Sequence, residues 1–157
     1  MDQLTGKNIV ITGASSGIGK ALVIAAAQVG ANVAIAARNL ENLNDLKQSL
    51  ASYKSTIVPI QCDVRNRTEC ENLMATAIDH LGSIDILINN AGISMRAPFE
   101  EVAIEVLEEV MNVNYWGTVY CTKAALPELL KNKGSLVAVS SVTGFKGLPG
   151  RAGYASS

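Results

Sequence analysis

The chain has little of what several functional classes require. Among 157 residues there is one histidine, His80, and three cysteines, Cys62, Cys70 and Cys121, with no CxxC spacing between them. Zinc centres draw on clusters of these two residue types at short spacings, so the sequence argues against a metal site and for reduced thiols in or near a core. Charge of either sign is sparse: 13 Lys and Arg against 14 Asp and Glu give a net charge of −1. No basic run and no basic–aromatic interleaving is present, which argues against nucleic acid as a partner. No apolar stretch reaches the ~18–20 residues of a membrane span. The nearest, ALVIAAAQVGANVAIAA, is cut by Gly30 and Asn32. The opening MDQLTGKNIVITG has no charged leader ahead of an apolar core, so no signal peptide is expected and the chain reads as cytoplasmic.

What remains is apolar and alternating. Apolar residues make up 48% and charged residues 17%, the balance of a globular chain long enough for one packed domain, residues 1–157. NIVIT (8–12) is a β-branched run ending at Gly13, and Ile18, Ala21, Leu22, Ala25, Ala26 and Val29 then recur at helical steps until Gly30. NVAIAA (32–37) is a second strand, and Leu40, Leu43, Leu46 and Leu50 mark a second helix. TIVPIQ (56–61) is a third strand, whose Pro59 places it near a sheet edge. Cys70 to Leu81 carries a third helical stripe closed by Gly82, and DILIN (85–89) is a fourth strand. A long helical region is expected from about 101 to 132, broken or bent near Pro127, before a fifth strand in SLVAVSS (135–141). Strands apolar on both faces and separated by helices predict a parallel α/β sheet covered on both sides.

In such a sheet, ligands bind outside the carboxyl ends of the strands. All five strands deliver glycine or polar groups there: Gly13-Ala14-Ser15-Ser16-Gly17-Ile18-Gly19, Arg38, Asp63, Asn89-Asn90-Ala91-Gly92 and Ser140-Ser141. Gly13 permits a tight turn, while Gly17 and Gly19 clear space for close approach of a phosphate or the sheet. A helix starting at this point aims free N–H groups at an anion, which predicts a pyrophosphate site. The spacing is GxxxGxG rather than GxGxxG, and a bare strand–helix turn is the competing reading. Arg38, where an acidic residue would bind ribose hydroxyls, favours a 2′-phosphate and hence NADP over NAD, with Ser15 and Ser16 as further donors.

TGASSGIG (12–19), CDV (62–64), NNAG (89–92), Asn114, Ser141 and Tyr154 together resemble the short-chain dehydrogenase/reductase family over essentially the whole chain. The resemblance implies a doubly wound Rossmann sheet, with Asp63 and Val64 at the adenine and Asn90, Ala91 and Gly92 near a ribose. It implies that Ser141 holds a substrate carbonyl, Tyr154 exchanges the proton and Asn114 places a water in the proton relay. The family's YxxxK motif puts a lysine four residues after the tyrosine, at a position beyond Ser157. The expectation is therefore an N-terminal portion of a longer NADP-dependent oxidoreductase, inactive by itself, with LVAV as a naked edge strand.

A tyrosine hydroxyl titrates near ~10, so acid–base work at neutral pH needs about 4 kcal/mol of selective phenolate stabilisation, which an ammonium at i+4 and a cationic nicotinamide can supply. Ser140 competes with Ser141 for the carbonyl, and Asn114 has the competing role of pairing with nearby backbone. Trp116 and Tyr115 are expected in the core. Met95, Arg96 and Phe99 are candidates for a substrate mouth. The substrate class is a small carbonyl or alcohol, and a homo-oligomer is implied for the longer protein. A non-catalytic NADP(H)-binding module is the alternative.

Overall fold

The computed structural model describes residues 2–157. The strands are β1 (Asn8–Thr12), β2 (Asn32–Ala37), β3 (Ile57–Gln61), β4 (Ile86–Asn89) and β5 (Ser135–Ala138). They form one sheet in the order β3-β2-β1-β4-β5, with every pairing parallel. Between them run α1 (Gly17–Gln28), α2 (Leu40–Ser49), α3 (Arg67–Leu81), α4 (Ile104–Met111) and α5 (Gly117–Lys131), followed by the single turns α6 (Val142–Phe145) and α7 (Ala152–Ala155).

Register explains the two-sided core. Val10 lies beside Ala34 and Leu87, and Ile11 beside Ile35 and Ile88. Side chains alternate along a strand, so Val10, Ala34, Ala36, Val58 and Leu87 turn to one face and pack on Leu73, Met74 and Ala77 of α3 and Ala125 and Leu129 of α5. Ile9, Ile11, Val33, Ile35 and Ile57 turn to the other and meet Val23, Ala26 and Ala27 of α1 and Leu43 and Leu46 of α2. Each valine, leucine, isoleucine or methionine among them, fully buried, contributes about 1.5–3 kcal/mol. The result is the Rossmann-type, doubly wound sheet that the alternating pattern predicts. Its strand order reverses between β1 and β4, which opens a crevice at their carboxyl ends.

The opposite end of the sheet is tied shut by polar contacts. Asn8 Nδ2 donates to Leu81 O and Ser83 Oγ, both at 2.9 Å, and its N–H donates to Asp85 Oδ2 at 2.9 Å. Asn32 Nδ2 donates to Asn8 Oδ1 at 3.0 Å, and Asn32 Oδ1 accepts from the Thr56 N–H at 3.0 Å. One chain of amides thus fixes the starts of β1, β2, β3 and β4.

Pro59 lies on edge strand β3, as its missing N–H requires. Three expectations are corrected. The fifth strand stops at Ala138, because Ser141 begins a new turn as the N-cap of α6. Helix α5 runs through Pro127 to Lys131; both Pro127 and Lys123, whose carbonyl lacks its i+4 donor, face solvent, where water can take the bond. The irregularity falls instead at Asn112–Trp116, one turn of π-helix. There Val113 and Gly117 turn inward, and Tyr115 and Trp116, expected in the core, are 46% and 42% exposed. Trp116 stacks on Tyr120 with ring centroids 5.8 Å apart.

Candidate functional site

The crevice is built from β1 outward. The chain leaves Thr12 through Gly13, which has a φ of 64°. A side chain at Gly13 would fall 2.8 Å from Cα of Ala91, and one at Gly19 would overlap the Gly13 carbonyl. The glycine turn therefore sits directly on the loop after β4. Asn90 fastens the two: its Nδ2 donates to the carbonyls of Thr12 at 3.0 Å and Gly13 at 3.2 Å. Thr12 Oγ1 answers by accepting from the N–H groups of Asn90 and Ala91, each at 3.0 Å. Thr12 was not singled out from the sequence, although its place at a strand end before a turning glycine was a signal.

Helix α1 starts at this turn. Asn39 and Asn66 cap α2 and α3 with their side chains, but Ser16 makes no side-chain cap bond to α1 among the described residues. Its first N–H groups are left free for a ligand. They border a cavity of about 400 Å³. Gly13, Ser15, Ser16, Gly17 and Ile18 form one wall, with Arg38, Asp63 and Val64 on another and Asn90, Ala91 and Gly92 on a third. Gly19 lies beneath, buried, as the spacer that lets helix and turn touch. Asn39, Cys62, Ile93 and Val113 complete the lining.

At the Asp63 wall a carboxylate is held by a cation that the sequence reading passed over. Arg65 Nη2 donates to Asp63 Oδ2 at 2.6 Å, and Arg65 Nη1 reaches Glu109 at 3.2 Å. The Arg65 hydrogen bonds hold the Asp63 carboxyl below its ordinary range, against the opposing effect of burial, and the charge of Arg38 adds a smaller pull. Asp63 also donates its N–H to Glu69 Oε2 at 2.7 Å, which fixes the wall to α3.

A second cavity, of about 570 Å³, meets the first along Asn90–Ile93. It brings together Asn114, Ser140, Ser141 and Tyr154, which come from the π-helical turn, the end of β5 and α7. Ser141 Oγ accepts from the Thr143 N–H at 3.3 Å and the Thr143 hydroxyl at 3.0 Å. With its acceptor positions occupied, the Ser141 hydroxyl keeps its proton for an external acceptor. Asn114 clamps the loop after β4: Oδ1 accepts from the Ile93 N–H at 2.9 Å, and Nδ2 donates to Ile93 O at 3.0 Å and to Ser157 Oγ at 2.8 Å. Its carboxamide thus pairs with backbone, but of a distant loop rather than of its own helix. The Arg151 guanidinium stands 5.8 Å from the centre of the Tyr154 ring. Met95, Arg96 and Phe99 do not line the cavity; Ile93 and Ser94 do. The Ala97 N–H donates to Gly150 O at 2.9 Å, tying that loop toward α7 and leaving Phe99 68% exposed.

Comparison with known proteins agrees with this geometry. The family model described as short chain dehydrogenase matches residues 7–157. The chain is 38% identical over 160 residues to the 11-beta-hydroxysteroid dehydrogenase-like 2 of Arabidopsis thaliana, covering 99% of this chain and 51% of that protein. It is 36% identical over 160 residues to the 3-ketodihydrosphingosine reductase of Mus musculus, covering 98% of this chain and 48% of that one. The chain spans about half the length of these curated relatives. Among solved structures, an alcohol dehydrogenase from the archaeon Thermococcus sibiricus complexed with 5-hydroxy-NADP superposes with a TM-score of 0.93 at 29% identity, covering 96% of this chain and 64% of that one. A short-chain type dehydrogenase/reductase from Mycobacterium marinum gives 0.91 at 29%, covering 98% and 62%. A glycine turn on an uncapped helix, a matching family model over nearly every residue and the shared fold lead to one conclusion: the chain belongs to the short-chain dehydrogenase/reductase family of oxidoreductases.

Proposed function

We propose that the chain carries the nucleotide-binding part of an NADP-dependent enzyme that interconverts a carbonyl and a secondary alcohol. The observation that carries the proposal is the uncapped start of α1, stripped of side chains at Gly13, Gly17 and Gly19 and bordering the first cavity. The N–H groups of that helix and the hydroxyls of Ser15 and Ser16 would hold a diphosphate. Arg38 on the opposite wall would take a 2′-phosphate as a charge-assisted pair, and this selects NADP over NAD. Val64, Asn90, Ala91 and Gly92 would flank the nucleoside. A bound nicotinamide supplies or takes the hydride.

The second cavity would hold the substrate. Ser141 points its spare proton at the substrate oxygen and stabilises charge that develops there. Tyr154 gives a proton to that oxygen in reduction and takes it in oxidation. Asn114 holds Ile93 and hence the strip shared by both cavities, so nucleotide and substrate meet in a fixed relation. In the family's YxxxK pattern a lysine follows the tyrosine by four residues, at position 158. The activity proposed is that of the protein carrying it, and residues 1–157 by themselves are proposed to be inactive.

In the complete reading frame, Tyr154→Phe should lower turnover of carbonyl substrates by about 10²-fold or more while nucleotide affinity stays unchanged. Equal loss of both, measured by steady-state kinetics beside calorimetry, would contradict the proton-transfer role. Nucleotide binding by the unmodified protein with no turnover across a panel of ketones and alcohols would favour the non-catalytic module.

A further inference from the structure

Tyr154 stands on a single helical turn, α7, whose first residue is an unusual choice. Position 151 is the N-cap of that turn. Serine, threonine, aspartate and asparagine are preferred at N-caps, because their side chains accept from the first free N–H groups. Arginine has no acceptor and brings a positive charge to the positive end of a helix. A residue that breaks a local rule points to a task met elsewhere in the fold.

The side chain of Arg151 shows that task. Nη1 donates to Ser94 Oγ, on the strip of loop that lines the second cavity. The guanidinium stands 5.8 Å from the centre of the Tyr154 ring, inside the ~6 Å range of cation–π attraction. Residues three apart share a helix face, which is why the N-cap side chain meets this ring. Arg151 forms no salt bridge among the described residues, so its charge is not taken up by a carboxylate. Ser94 and Tyr154 line the cavity and Arg151 does not, so it braces both from outside.

The remaining ties of α7 act on its backbone. The Ala97 N–H donates to Gly150 O at 2.9 Å. Asn114 Nδ2 donates to Ser157 Oγ at 2.8 Å, and Ser157 Oγ donates to the Tyr154 carbonyl at 3.1 Å. Gly153 is buried against α4, and a side chain there would fall 2.5 Å from Leu107 Cδ2. These contacts fix where the tyrosine is attached but not the direction of its ring, which turns about its own side-chain bonds. The guanidinium supplies that constraint, and its bond to Ser94 holds the long arginine stem in place.

We propose that Arg151 is a positioning residue for the reaction: spanning Ser94 and the Tyr154 ring, it sets the direction in which the tyrosine hydroxyl enters the second cavity. The inference rests on the proton-exchange reading of Tyr154. A displacement of ~1 Å at a reacting group can cost 10²-fold in rate. Here the backbone stays clamped, so loss of the brace should cost about tenfold.

The test uses the complete reading frame and NADPH-linked reduction of three probe ketones: cyclohexanone, acetophenone and methyl hexyl ketone. Arg151→Met keeps the apolar stem and removes the cation and the donor. It should lower kcat about tenfold, with KM and the calorimetric NADP+ affinity unchanged. Arg151→Lys keeps a cation that can reach Ser94 and should restore most of kcat. Ser94→Ala should lower kcat by less, and should add nothing in the double variant with Arg151→Met; it carries the test should Arg151→Met not fold. Full kcat in Arg151→Met, a lysine variant no better than methionine, or a loss confined to KM would each overturn the inference while leaving Tyr154 in its role. Undiminished turnover in Tyr154→Phe, or no turnover of any probe ketone by the parent, would overturn the Tyr154 reading and this inference with it.

Discussion

Thr12 Oγ1 holds the two loops at the rim of the first cavity together, and it does so from a residue only 1% exposed. Thr12→Val keeps the shape and removes the acceptor, leaving the Asn90 and Ala91 N–H groups unpaired. A fully buried donor left unpaired costs about 1–3 kcal/mol, and these two are part-buried at the cavity, where water recovers some of the loss. Urea denaturation should therefore show Thr12→Val less stable by about 1 kcal/mol or more, with Thr12→Ser close to the parent; equal midpoints for valine and parent would remove this role. Asp63 gives a pH-dependent counterpart. Arg65 lowers its carboxyl in the folded state, while the unfolded carboxyl titrates near ~3.9. The pair's contribution is thus complete above ~3.9 and disappears as pH falls through the lowered folded value. The pair is partly exposed, with Asp63 and Arg65 side chains 24% and 39% accessible, so the effect is small and weakens with salt. Asp63→Asn should flatten the acid limb of a stability–pH curve at low ionic strength; an unchanged limb would contradict the assignment.

At the scale of elements, β5 is the exposed edge. All four of its residues are exposed, with Leu136 at 50% and Val137 at 42%. An uncovered apolar edge invites pairing with other chains, and a lysine there suppresses it. Val137→Lys should slow the aggregation of residues 1–157 in light scattering at fixed concentration, and an unchanged rate would show that the edge is not the route. The strands themselves were largely legible: NIVIT and NVAIAA are β1 and β2 residue for residue. Apolar runs between turning glycines leave little choice of boundary. The π-helical turn at Asn112–Trp116 was not legible, because its cause lies in tertiary packing: Gly117 comes within 2.7 Å, at its would-be Cβ, of Val64 Cγ2. That approach sets the phase of α5 and leaves Tyr115 and Trp116 outside, against their aromatic character. The meeting of Cys62, Cys70 and Cys121 in one buried core cluster was invisible for a related reason. Its members sit on β3, α3 and α5 or at their ends, and no local spacing records that these elements converge.

At the scale of the whole molecule, the two ends of the sheet have opposite tasks. Side-chain amides of Asn8 and Asn32 close the amino end, while the carboxyl end keeps the α1 N–H groups, Arg38 and the Ser141 proton open to ligands. Every residue expected from the sequence to meet a cofactor, except the spacer Gly19, lines one cavity, because parallel strands bring all their carboxyl ends to one edge. Roles that depend on long-range pairing, such as Thr12 on the loop after β4 and Arg65 on Glu109, needed the three-dimensional register, whereas Arg65 on Asp63 is a contact two residues apart. The central claim is that this edge binds a dinucleotide through a bared helix start and reads its 2′-phosphate with Arg38. Isothermal titration of the complete protein with NADP+ and NAD+, alongside Arg38→Asp, tests it most directly. The account predicts tighter binding of NADP+ and, in the variant, a loss for NADP+ about 10–100-fold greater than for NAD+, the worth of a charge-assisted contact. Capture of neither dinucleotide, or an unaltered preference in Arg38→Asp, would contradict it.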